Sequence, residues 1–223
     1  MGDIFTSVQV GFTGAGVTLS ISALSVLIGL AIGLLVALAK MSKKKVIRGI
    51  ASVYIDLLRG TPLLVQVLIV YFGIPMLLQS QGINFVWPTA FIASFLVCGI
   101  NSSAYVAEII RSGLQAIDPG QAEAARSLGM THAQTMRYII IPQAIKIIIP
   151  ALGNEFISLI KETAILSTIS VTDVTRASML LASRGGNYFP AYIGAAIVYL
   201  LMTIPLSKIM NYAERKLSND VRS

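Results

Sequence analysis

This chain has little of what most catalytic and metal centres are made from: one cysteine, one histidine and 10 carboxylates over its whole length. A lone Cys98 excludes an intrachain disulfide, and its place in an apolar run makes it a packing residue. His132 has no second histidine and no nearby cysteine, which excludes a metal site of the usual ligand spacing. No cofactor is expected. Nowhere does a glycine-rich loop lead into Lys-Ser or Lys-Thr, so ATP, if it drives this protein, is bound by another subunit. A basic head before the first apolar run is missing, and that run is too long for a secretory signal; it is expected to stay as a membrane anchor. Charge is scarce too, at 12% of residues where a soluble domain carries about a quarter.

What fills the chain instead is apolar. Hydrophobic residues make up 55% of 223 positions and mean hydropathy is +0.78, the composition of an integral membrane protein with several spans. The net charge of +7 does not point to nucleic acid, because the basic residues sit in short loops beside apolar runs. Phe12 to Ala39 carries no charge, enough for one tilted helix across roughly 30 Å of hydrocarbon. Gly60 to Ala107 is also charge-free and fits two spans joined by an outer turn near Gln79 to Pro88.

We expect an all-α membrane protein with a single transmembrane domain over residues 1–223. Its five transmembrane helices are placed near 12–39, 61–78, 89–110, 147–170 and 188–208, with a polar outer segment at 171–186. The loops assigned to the inside hold Lys40, Lys43, Lys44, Lys45, Arg48 and Arg59, then Arg111, Arg126, Arg137 and Lys146. The tail adds Lys208, Arg215, Lys216 and Arg222, against Arg176 and Arg184 on the other side. That asymmetry puts the amino terminus outside and the carboxyl terminus in the cytoplasm.

One polar stretch, 118–142, reads as a cytoplasmic platform. Asp118 is placed to cap a helix beginning at Pro119, with Gln121 three residues after the cap, and Gly129 suits the stop after Leu128. Thr131 caps again, with Gln134 three residues on, and a second short helix is expected to run into Pro142. Ala124 and Ala125 are small enough to let a helix sink into a groove, while Glu123 and Arg126 offer rim charges to a partner. The alternative is an amphipathic helix lying on membrane lipid, although alanines add little anchorage.

Polar residues inside the spans are the candidates for transport, since a charge at a helix centre costs about 2.5–3.5 kcal/mol to insert. Asn154, Glu155, Ser158, Lys161 and Glu162 form one stripe of the fourth span at steps of three and four. Asn101, Tyr105, Glu108 and Ser112 form another on the third, with Ser102 and Ser103 beside it. Both stripes are expected to line a path, with Glu155, Asn101, Ser102, Ser103, Ser158 and Glu162 as substrate contacts. A carboxylate at Glu155 favours an amino group or a cationic side chain. Against this stands a structural role, in which Asn and Ser bond helix to helix and Lys161 neutralises a glutamate. Thr61 is expected to cap the second span with Pro62 in its first turn, and Asp56 to pair with Arg59. That elbow reads as structural. In the outer segment, Asp173, Arg176 and Arg184 offer rim charges to an extracytoplasmic protein, or form a solvated helix.

Glu123-Ala124-Ala125, then Gly129, Ile139, Ile141 and Pro142, match the spacing of the EAA coupling loop of ATP-binding-cassette (ABC) importer permeases. Ile141 stands where that pattern usually has leucine. Arg59-Gly60-Thr61-Pro62, Ile100-Asn101-Ser102-Ser103-Ala104-Tyr105 and Pro150-Ala151-Leu152-Gly153-Asn154-Glu155 resemble the polar amino acid branch, of the histidine, glutamine and arginine type. The resemblance implies a permease subunit in the bacterial inner membrane, itself not an enzyme. It also implies ATPase subunits docked through Glu123, Ala124, Ala125, Arg126 and Gly129, a second permease subunit, and an extracytoplasmic amino-acid-binding protein. A proton-coupled carrier using Glu155 or Glu162 as a relay is the competing reading.

Overall fold

Backbone amides in hydrocarbon must bond internally, and the described residues meet that demand with helices alone. The structure, a computed structural model, describes residues 3–222, with side chains up to Leu217; the Arg222 side chain used in the charge argument lies outside the described residues. Five helical segments are long and apolar enough to cross a membrane: Ile4–Lys40, Leu63–Ser80, Ala90–Gln115, His132–Ile169 and Tyr188–Leu217.

Helix α1 (Ile4–Lys40) starts earlier than the apolar run does, because the Asp3 carboxylate accepts the Phe5 N–H and caps it. Its buried positions are nearly all small: Ser7, Gly11, Gly14, Thr18, Ser22, Ser25, Gly29, Gly33 and Ala37 recur at steps of three and four. Small residues let helix backbones approach closely where lipid supplies no hydrophobic drive. This seam carries α1 along α5 (Ala90–Gln115) and past α9 (Val174–Gly185) and α10 (Tyr188–Arg222).

Between the first two spans the structure departs from the loop expected there. Lys45–Gly60 forms an amphipathic helix, α2, with Ala51 and Ile55 buried and Val46, Ile50, Val53 and Leu57 exposed. Thr61 does not cap the helix that follows. It closes α2, donating its hydroxyl back to Leu57 O at 2.8 Å, and Pro62 precedes α3 (Leu63–Leu68). Nor do Asp56 and Arg59 form an ion pair; the Arg59 guanidinium lies over the Tyr105 ring, 5.2 Å from its centroid. Cation–π contact replaces the salt bridge.

The second span joins α3 to α4 (Ile74–Ser80) through a π-turn at Ile69–Gly73. Trp87, from the turn beyond α4, donates its indole N–H to Val70 O in that π-turn at 3.0 Å. Trp87→Phe is therefore expected to cost about 1 kcal/mol, read as a lower midpoint of thermal unfolding for the purified protein.

The platform begins with α6 (Pro119–Ser127). Asp118 caps it by accepting from the Gly120 N–H at 2.8 Å, without the reciprocal bond expected from Gln121. Gly129 ends it at φ +83°, the left-handed region that favours glycine. Thr131 and Gln134 form the reciprocal capping box, but the helix they start is not short. From α7 (His132–Thr135) it passes through a π-turn at Met136–Ile140 into α8 (Ile141–Glu162), and then into 3₁₀ turns to Ile169. Pro142 is no terminator: the π-turn at Met136–Ile140 just before it already departs from regular α-helical bonding, so the helical course carries on past the missing N–H.

Candidate functional site

The two polar stripes meet at one point. Ser102, buried on α5, donates its hydroxyl to Glu155 Oε1 on α8 at 2.8 Å. Gly29 makes room for this contact: a Cβ there would sit 3.0 Å from the Ser102 hydroxyl. Glu155 is half-buried. Ser158 and Glu162 follow at steps of three and four and are half-buried too, while Asn154 and Lys161 are exposed. Lys161 makes no ion pair with Glu162 among the described residues.

Asn101 and Ser103 turn elsewhere. Both amide hydrogens of Asn101 are engaged, by Leu58 O at 3.2 Å and Gln66 Oε1 at 3.0 Å. Ser103 donates to Ile100 O and shares a 2.6 Å bond with the Tyr54 hydroxyl. Through these bonds Asn101 and Ser103 fasten α2 and α3 to α5. Further along α5, Glu108 pairs with Arg111 at 2.6 Å, and Arg111 also bonds Gln115.

At the other end of the spans, Asp173 is not a rim charge. It is fully buried, capping α9 through the Arg176 N–H at 2.8 Å and accepting from the Tyr199 hydroxyl at 3.1 Å. Burial pushes its carboxyl above the usual range, and the hydrogen bonds from Arg176, Thr175 and Tyr199 pull it only part of the way back. Arg184 is exposed and remains available to a partner.

On the platform, Glu123, Ala124 and Arg126 are exposed, but Ala125 is buried and faces the rest of the chain. Leu128, expected only to end α6, is 84% exposed. Its signal was present as the large apolar side chain just before the Gly129 stop. A cavity of about 530 Å³ lies where the ends of α5 and α10 meet the start of α8, lined by Asp118, Gln121, Gln143, Lys146 and Glu214. It does not include Glu155.

A family model described as the binding-protein-dependent transport system inner membrane component matches residues 29–222. The chain belongs to that family. It is a permease subunit of the ABC importer class. The arginine transport system permease protein ArtQ of Bacillus subtilis is 42% identical over 208 residues, 93% of this permease and 92% of the relative. A candidate glutamine transport system permease protein, GlnP, of Rickettsia bellii is 42% identical over 92% of this permease and 91% of its own length. Among solved structures, an amino acid ABC transporter described as crystallised with histidines aligns at a TM-score of 0.87 and 50% identity, covering 97% of this permease and 99% of that chain. The MetNI methionine ABC transporter, at 17% identity and a TM-score of 0.73, shares the fold. These likenesses do not favour the proton-coupled carrier. The permease is not itself of an enzyme family.

Proposed function

We propose that this permease forms half of the transmembrane path of an importer for polar amino acids, driven by a separate ATPase that grips the platform at 118–142. One observation carries the reading: α6 packs against the foot of a helical course that starts at His132, within the platform, and runs on to bear Glu155. Glu123, Ala124 and Leu128 point away from the rest of the chain and form the face offered to the ATPase, with Arg126 at its rim and Gly129 setting its end. Movement imposed there is transmitted to the Glu155–Ser102 site. That site takes the amino group or cationic end of the substrate, with Ser158 and Glu162 beside it. The relatives named for arginine and glutamine, and the structure described with histidines, support a polar amino acid.

A second permease subunit completes the path. The second span supports this, since Phe72, Met76 and Leu77 are exposed on it and few of its residues are buried within the chain. The basic residues between spans put the platform in the cytoplasm and the amino terminus outside. An extracytoplasmic binding protein then meets the α9 side, where Arg184 is exposed.

Leu128→Asp tests the platform. In proteoliposomes holding permease and ATPase, ATP-driven uptake of labelled arginine or glutamine is expected to fall about tenfold or more. Leu128→Met should retain most of it. Co-purification of the ATPase should weaken with Leu128→Asp alone. Full uptake by a correctly assembled Leu128→Asp complex, or uptake that needs no ATP, would sink the proposal.

A further inference from the structure

The break between α2 and α3 is held more firmly than a change of helix direction requires. Leu58 O accepts from Gln66 Nε2 at 2.9 Å and from Asn101 Nδ2 at 3.2 Å. Gln66 also donates to Thr61 Oγ1 at 2.8 Å and accepts from Asn101 at 3.0 Å. Arg59 follows Leu58 directly on this pinned backbone. Its guanidinium lies over Tyr105, 5.2 Å from the ring centroid. Tyr105 is three residues past Ser102 on α5, so the two share a face, about 4.5 Å apart along the helix axis. Ser102 in turn holds Glu155. One face of α5 therefore presents a carboxylate and a guanidinium about a turn apart. No carboxylate of the described residues bonds Arg59: Glu108 is taken by Arg111, and Asp56 makes no ion pair. Arg59 is exposed.

We propose that Arg59 receives the α-carboxylate of the transported amino acid while Glu155 receives its amino group, so that the site reads both poles of a zwitterion. This rests on the reading of Glu155 given above. A guanidinium matches a carboxylate with two parallel N–H bonds, which an ammonium cannot do. The contact with the Tyr105 ring holds the guanidinium without consuming its N–H groups. The Asn101–Gln66–Leu58 clasp removes freedom from the elbow beforehand, so less ordering is left to oppose binding. An amino acid amide keeps the Glu155 contact and loses the other.

The test is equilibrium binding of labelled L-arginine and L-argininamide to the permease–ATPase complex in lipid nanodiscs, without any binding protein. Wild type is expected to hold arginine about tenfold or more tighter than the amide. Arg59→Gln should erase that preference by weakening arginine and leaving the amide as it was. Arg59→Lys should keep part of the preference. A preference that survives Arg59→Gln overturns the proposal, as does an equal loss for both ligands in both variants, which would make Arg59 a structural strut. If wild type binds neither probe, nor L-glutamine, nor L-histidine, the amino acid site itself is wrong and this inference goes with it. Wild-type binding of both probes by Glu155→Gln would refute the amine contact while leaving the Arg59 comparison readable.

Discussion

Glutamine in place of Glu155 is expected to slow uptake of a cationic amino acid by about tenfold to a hundredfold, and uptake of a neutral one by less. The substitution is nearly isosteric, so the remaining amide oxygen can still accept from Ser102 and the α5–α8 contact survives. What is lost is the charge. It sits half-buried, where water screens it less than at the surface, and one of its oxygens is left free by the Ser102 bond. Initial rates with labelled arginine and glutamine, at matched amounts of assembled complex, give the comparison. An arginine-to-glutamine ratio that does not change would remove Glu155 from the site.

The second large effect is structural. A Cβ on Gly14 would lie 2.2 Å from the carbonyl carbon of Asp173 and 2.5 Å from the Val174 nitrogen. Both are backbone atoms, and they belong to the segment that Asp173 fixes from its buried cap, so no rotamer change relieves the clash. Gly14→Ala is expected to cost about 3 kcal/mol or more, enough to lose most of the folded protein recovered in detergent. Gly16, two residues on, has nothing within 4 Å of a Cβ. Gly16→Ala should be neutral, or stabilising by up to about 1 kcal/mol through helix propensity. Equal thermal stability for the two variants would show that α1 does not pack on α9 as described.

The spans and the platform were legible because their signals are one-dimensional. A charge-free run measures itself against a membrane, and caps such as Asp118 and Thr131 act within three residues. The α2 helix escaped notice because its basic residues crowd its start and disguise the apolar face of Val46, Ile50, Val53 and Leu57. The seam of small residues along α1 was in plain sight, but in an otherwise apolar helix it creates no polar contrast. Its meaning depends on what lies opposite, as with Gly14 and Asp173. The joining of Glu155 to Ser102 was foreshadowed by the two stripes. The diversion of Asn101 toward Gln66 was not, since it needs α2 and α3 in place. Asp173 misled for a similar reason: a carboxylate that caps a helix in the interior looks, in sequence, like one that meets water.

The continuity of α7 and α8 has a mechanical consequence. From His132 to Glu155 the chain follows one helical course, through a π-turn and past Pro150, without interruption. At 1.5 Å per residue that course is about 35 Å long, so a tilt of about 10° at its His132 foot would swing the carboxylate sideways by about 6 Å. A lever of this length needs only a slight nudge at one end to carry the other across the width of a bound solute.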